Sequence, residues 1–219
     1  GAFVHSGQVC SAGARIVVEE SIHDRFVEEL VRRTKNIKLG GPNDPAAETG
    51  PLITAAHLES VAAYVDRAAE QGAKILTGGR RAEAADNQGS HGTGNTDLSQ
   101  GEFYLPTIID GCTPDMDCVH DEAFGPTVTI ETFDTEEEAI RIANDTEYGL
   151  AGAVWSSDQG TCERVAAALR HGTIWINDFH PYLPQAEWGG MKMSGNGREL
   201  GPTGLAEYQE HKHIYQNIS

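Results

Sequence analysis

The stretch "SGQVCSAGAR" sets a single thiol, Cys10, among small and polar neighbours, Gly7, Gln8 and Ser11, just ahead of a run rich in Val and Ile. A thiolate is an intrinsically strong nucleophile, and a turn of small residues lets a carbonyl compound approach it. Two readings stay open on these residues alone: an activated thiolate on a turn, or a small buried hydrophobe. Cys112, Cys118 and Cys162 show no framework spacing. Cys112, Cys118 and His120 are of metal-ligand type, but the five residues between the two cysteines fit no common zinc pattern, so no metal site is expected.

The elements that would position Cys10 alternate in type. Residues 14–20, "ARIVVEE", read as a strand. Ser21 is expected to cap a helix over 22–37 whose Ile22, Phe26, Leu30 and Val31 form one apolar face. A Gly/Pro loop over 39–51 leads to Thr54, expected to cap a second helix that stops at Gly72. A short strand over 73–79 precedes a polar, glycine-rich segment, about 80–102, expected to be an exposed, mobile loop. Strands are predicted at 103–109, 127–133, 150–157 and 173–177, with helices over 136–146, capped by Thr135, and 159–171. This alternation predicts an α/β fold: an open, twisted, mostly parallel sheet with helices on both faces and an extended, polar-alternating C-terminal tail.

Composition narrows the function. The 219 residues carry 33 acidic and 16 basic side chains, for a net charge of −17. Nucleic acid and anionic membranes need clustered Lys and Arg, so neither is an expected partner. Only 5 of the basic residues are Lys, against 11 Arg, and an acidic, lysine-poor surface suits a salt-rich cytoplasm and a halophilic source. The longest apolar runs fall far short of the ~20 residues that cross a bilayer, and no secretory pattern appears. Cysteines without framework spacing leave a reducing, cytoplasmic setting as the expectation. Beginning on Gly and already inside a structured element, the chain reads as a piece of a longer protein.

Three segments carry more than composition explains: "SGQVCSAGAR", "HDEAFGPTVTIETFDTEEEAIRIANDTEYGLAGAVWSSD" and "GTIWINDFHPYLPQAEWGGMKMSGNGRELGPTGLAEYQEHK". In this order and at these separations they resemble the catalytic half of the NAD(P)-dependent aldehyde dehydrogenase superfamily. "WINDFHPYLPQAEWGG" and "SGNGRELGPTGLAEYQ" are most similar to its betaine aldehyde dehydrogenase group. The resemblance implies a catalytic domain over 1–205, an oligomerisation tail over 206–219 and a homo-oligomer, dimer or tetramer. It also implies that the dinucleotide-binding domain and its general base lie outside these residues, which would leave the isolated chain inactive.

The resemblance assigns Cys10 as the nucleophile that forms a thiohemiacetal and then a thioester while an aldehyde is oxidised with NAD, or NADP. Betaine aldehyde, converted to glycine betaine, is the expected substrate; another amino- or aliphatic aldehyde, or a non-catalytic oligomerising role, are the alternatives. Glu122 matches the carboxylate that accepts both nicotinamide-ribose hydroxyls, and Phe124 the ring beside the nicotinamide; alone they read as a solvated acid and a packing residue. Glu199 matches a proton-relaying carboxylate, or else an exposed helix glutamate paired with Arg198. Asn177 matches an asparagine on the site floor, or else a structural cap. Trp188 matches the tryptophan whose π-face meets a quaternary ammonium, or else packs. Two departures stand out. Val4 occupies the place of a second aromatic residue, and His57 and Ser60 stand where the family often has Gln and Lys near the cofactor ribose, leaving His57 as a remaining donor.

Overall fold

A computed structural model describes all residues, 1–219, as two compact units, 1–146 and 147–219.

In the first unit, β1 (Arg15–Glu19) leads through a 3₁₀ turn (Glu20–Ile22) into α1 (His23–Thr34). Ser21 does not cap this helix: its hydroxyl donates to Glu19 Oε1 at 2.7 Å, and Ile22 holds the N-cap position. Thr54 does cap α2 (Ala55–Glu70), accepting from the His57 amide at 3.1 Å, and the chain leaves the helix at Gly72 with φ 105°. β2 (Lys74–Thr77), β3 (Thr107–Asp110) and β4 (Thr127–Phe133) complete one sheet in the order β1-β4-β3-β2. β1 and β3 both run parallel to β4, while the edge strand β2 is antiparallel to β3. α3 (Glu136–Asn144) starts at Thr135, whose side chain accepts from the Glu138 amide.

Alternation along the strands sends residues to two covered faces. Val18, Ile108, Val128 and Ile130 are buried against Val27, Phe26, Leu30 and Val31 of α1. Ile109 and Ile75 meet Leu58, Val61, Val65 and Ala68 on the other side, residues spaced three and four apart along α2. Ile108, Ile109, Val128 and Ile130 are each 0% exposed. Removing such a side chain from water contributes roughly 1.5–3 kcal/mol, so these positions, more than any capping bond, fix the sheet between the helices. Two buried acids, Asp110 on β3 and Glu131 on β4, interrupt the apolar surface. Glu131 on β4, 2% exposed, receives both Nε (2.5 Å) and Nη2 (3.1 Å) of Arg15 on β1.

The segment 80–102 is less exposed than its composition suggests. It contains 3₁₀ turns at Ala84–Gln88 and Leu98–Gln100, and Leu98, fully buried, packs with Leu39, Ala82, Phe103 and Leu105 in a small core of its own. Phe103 and Leu105 belong to that cluster, Tyr104 turns to the α2 core, and β3 begins only at Thr107.

The second unit pairs β6 (Ala151–Val154) parallel with β7 (Thr173–Ile176), joined through α4 (Gln159–Ala168), which Asp158 caps. α4 stops three residues before the expected 171 because Leu169 is already extended (φ −74°, ψ 132°). β5 (Tyr148–Gly149) pairs antiparallel with β8 (Met191–Lys192), a ladder the sequence gives no sign of. After α5 (Gly201–Ala206) the chain has no regular element, and Tyr208, Ile214, Tyr215 and Ile218 are exposed, as an extended tail would be.

Candidate active site

Cys10 is the one exposed cysteine; Cys112, Cys118 and Cys162 are buried. It occupies the first central position of a turn closed by the Ala12 amide on the Val9 carbonyl at 2.9 Å. The thiol faces solvent and not a core, so Cys10 is not a small buried hydrophobe.

The residues just before the turn hold it in place. His5, Ser6 and Gly7 all take left-handed backbone angles (φ 50°, 57° and 71°), a run that an ordinary chain adopts only when its surroundings impose it. Buried Ser6 receives the constraint: its amide donates to Thr49 Oγ1 at 2.8 Å and its hydroxyl donates to the Gly50 carbonyl. Gln8 donates to the Pro51 carbonyl at 3.3 Å and accepts from the Ile53 amide at 2.9 Å, which ties the turn to the entry of α2.

Gly7 brings the second motif alongside. A Cβ at this position would lie 1.9 Å from the carbonyl oxygen of Gly125, so the cysteine loop and the "EAFGP" turn touch backbone to backbone. Gly125 in turn sits on α2, where a Cβ would meet Val61 at 2.5 Å. His57, one turn into α2, puts Nε2 2.8 Å from the Phe124 carbonyl oxygen. His57, expected from the sequence to be a donor toward cofactor, has that nitrogen on the Phe124 carbonyl and so braces the motif. Phe124 itself has φ 49°, and its ring is 38% exposed, an arrangement that packing alone does not reward. Glu122 is exposed beside it. Cys10, Glu122, Phe124 and His57 thus belong to one braced assembly: two turns in contact, held on the first turns of one helix.

The second unit holds the remaining three candidates. Trp188 and Glu199 pair as an isolated antiparallel bridge, with each amide donating to the other's carbonyl at 2.7 and 2.6 Å. Glu199 precedes α5 and its side chain is exposed; Arg198 donates to the Gly190 and Gly197 carbonyls at 2.9 and 2.6 Å and does not pair with it. Asn177 follows β7 with φ 52°. Both ends of its amide are taken by Ser156 after β6, Nδ2 donating to the carbonyl at 2.9 Å and Oδ1 accepting from the amide at 3.0 Å, so it clamps the two strand ends together.

Trp188 does not stand alone. Its ring stacks on Trp175 (centroids 6.0 Å apart, 25° between planes) and meets Tyr182 edge-on at 4.5 Å. His180 joins the cluster, 4.8 Å from Tyr182 and 5.2 Å from Phe179. Trp175 is buried and its indole N–H donates to the Pro181 carbonyl at 3.3 Å, whereas Tyr182 is 42% exposed. Sequence reasoning singled out Trp188 and missed Tyr182, although the aromatic density of "WINDFHPYLPQAEW" was a visible signal.

The first unit thus sets an exposed thiol on a turn that touches a carboxylate–phenylalanine turn, beside an α/β sheet. Residues 1–214 match the Aldehyde dehydrogenase family, and the chain belongs to that family. It is 56% identical over 98% of its length to the betaine aldehyde dehydrogenase of Bacillus subtilis, of which it covers 42%. Aminoaldehyde dehydrogenase 1, a peroxisomal protein of Pisum sativum, is 44% identical over the whole chain, which covers 41% of it. Among solved structures, Staphylococcus aureus betaine aldehyde dehydrogenase in complex with NAD+ matches with a TM-score of 0.88 and 49% identity, over 98% of this chain and 41% of that one. The chain therefore spans about two fifths of the length of the relatives it matches. No helix is long and apolar enough to cross a membrane.

Proposed function

We propose that this chain is the catalytic half of an NAD-dependent enzyme that oxidises betaine aldehyde to glycine betaine. The observation that supports this reading is the backbone contact between the loop that carries the one exposed thiol and the "EAFGP" turn that carries an exposed, positive-φ phenylalanine. Cys10 adds to the carbonyl carbon to give a thiohemiacetal, whose oxidation leaves a thioester that water cleaves to the acid and the free thiol. Backbone N–H groups of the Val9–Ala12 turn are near enough in sequence to steady the oxyanion.

The residues present fit the cofactor. Glu122 offers an exposed carboxylate, an acceptor-only group suited to two ribose hydroxyls, and Phe124 an exposed ring held in place by His57 and Gly125. Bound NAD supplies the hydride acceptor. NADP would use the same contacts. The general base is assigned to residues outside this chain, Glu199 to proton relay, and the exposed tail over 206–219 to assembly of a cytoplasmic homo-oligomer.

Substrate choice rests on the aromatic cluster. Trp188, stacked on Trp175 and edged by Tyr182, presents the electron-rich surface that a trimethylammonium group prefers, and Tyr182 supplies an aromatic partner that Val4 does not. In the enzyme with its dinucleotide-binding half restored, Trp188→Ala should lower kcat/KM for betaine aldehyde about five-fold more than for a neutral aldehyde of similar size, on the order of 1 kcal/mol. Equal losses for both would make Trp188 an apolar wall and shift the assignment to an uncharged aldehyde.

A further inference from the structure

Two thiols that the proposed chemistry does not use lie against each other. Cys112 and Cys118 have their sulfurs 3.8 Å apart, in van der Waals contact, inside the core that packs α2 on the sheet. Both backbones are anchored. The Cys112 amide donates to Ile130 of β4 at 3.1 Å, and the Cys118 carbonyl accepts from the Tyr64 hydroxyl of α2 at 2.5 Å. The loop between them is closed independently, by the Met116 amide on the Thr113 carbonyl at 3.0 Å and by His120 Nε2 on the Pro114 carbonyl at 2.6 Å. Turn and strand therefore hold the thiols as neighbours, and a closure of less than 2 Å separates them from bonding distance.

We propose that Cys112 and Cys118 form a redox-active dithiol, a modification site that hydrogen peroxide converts to an intramolecular disulfide. Cys118 sulfur attacks a peroxide oxygen, the O–O bond breaks, and water leaves with a sulfenic acid on Cys118. Cys112 sulfur then attacks Cys118 sulfur, gives up its proton and expels the hydroxyl as a second water. The two sulfurs lose two electrons to the peroxide. The Cys118 thiol is directed at the Cys112 sulfur and the Cys112 thiol at the Ile109 carbonyl, 3.5 Å away; the bond between the pair lowers the Cys118 pKa and, with burial, raises that of Cys112, in keeping with Cys118 as the attacking sulfur. Exposures of 7% and 3% exclude bulky disulfides but not a peroxide scarcely larger than water. Cys162 and Cys10 have no such partner: the Cys162 sulfur sits between the Ser156 carbonyl and the Asn177 amide, and Cys10 is on its open turn.

The wild-type chain tests this without mutation. After exposure to hydrogen peroxide, the protein is unfolded, alkylated and digested with trypsin, which leaves Cys112 and Cys118 as the only cysteines between Arg81 and Arg141. That peptide should lose the mass of two hydrogens, take up no alkylating reagent, and recover two reactive thiols after dithiothreitol. Oxidation of Cys10 in the same sample shows that peroxide acted. If Cys10 is oxidised while Cys112 and Cys118 are both still alkylated, or carry added oxygen without a bond between them, the proposal is wrong. In Cys118→Ala the same treatment should leave Cys112 alkylatable; a persistent loss of its reactivity would also overturn the pairing.

Discussion

Gly7→Ala should weaken the first unit far more than its small size suggests. The added methyl would lie 1.9 Å from the Gly125 carbonyl oxygen, against a carbon–oxygen contact of about 3.3 Å, so the two turns must part by roughly 1.4 Å. The residue also sits at φ 71°, where an L-side chain costs about 1–2 kcal/mol. Forcing backbone apart in a packed region adds about 1–3 kcal/mol. The sum is about 2–5 kcal/mol. Gly72→Ala is the matched control: φ is again positive, 105°, but nothing lies within 4 Å of the new carbon. It should lose only the backbone cost, about 1–2 kcal/mol. Urea unfolding followed by far-ultraviolet circular dichroism reads both variants as shifts in midpoint at constant slope. Equal shifts would refute the claim that the cysteine loop and the "EAFGP" turn are packed together.

Brief iodoacetamide treatment should label Cys10 before Cys112, Cys118 or Cys162, since it alone is exposed; preferential labelling of another cysteine by mass mapping would count against the placement of its turn. Arg15→Met should cost about 3–5 kcal/mol of stability, because it strands the carboxylate of Glu131 at 2% exposure, and Glu131→Gln in the same background should recover part of the loss. His23 donates toward Asp110 (2.8 Å) and Asp24 (3.0 Å), and these bonds, Asp110 first, raise its pKa. A raised value means that the imidazolium stabilises the fold fully below the unfolded pKa of about 6.5 and that this contribution fades as pH climbs through the folded one. Thermal stability should therefore fall from pH 6 toward pH 8, and His23→Gln should flatten that slope.

Much of the fold was legible because local chemistry and burial agree. Thr54 and Thr135 each precede an amphipathic run and cap it as expected, and the Val/Ile-rich runs at β1 and β4 are strands. Ser21 looked like another cap, but Glu19 two residues earlier captured its hydroxyl and a 3₁₀ turn took the helix start. β5 and β8, two residues each, are too short to show any period. The segment 80–102 hid Leu98, a single anchor in polar sequence, because one residue sets no pattern. At the candidate site, resemblance singles out Cys10, Glu122 and Phe124. The contacts that brace them could not be read from the sequence: the Gly7–Gly125 approach and the His57–Phe124 bond join residues 67 or more apart in the chain.

The central claim is that Cys10 carries the substrate through a covalent bond. In the enzyme complete with its dinucleotide-binding half, mixing with NAD and betaine aldehyde and quenching with acid within one turnover should leave an acyl group on the peptide containing Cys10, and Cys10→Ala should show neither adduct nor NADH formation. Steady NADH production by Cys10→Ala, or an acyl group found on Cys112, Cys118 or Cys162 instead, would contradict it.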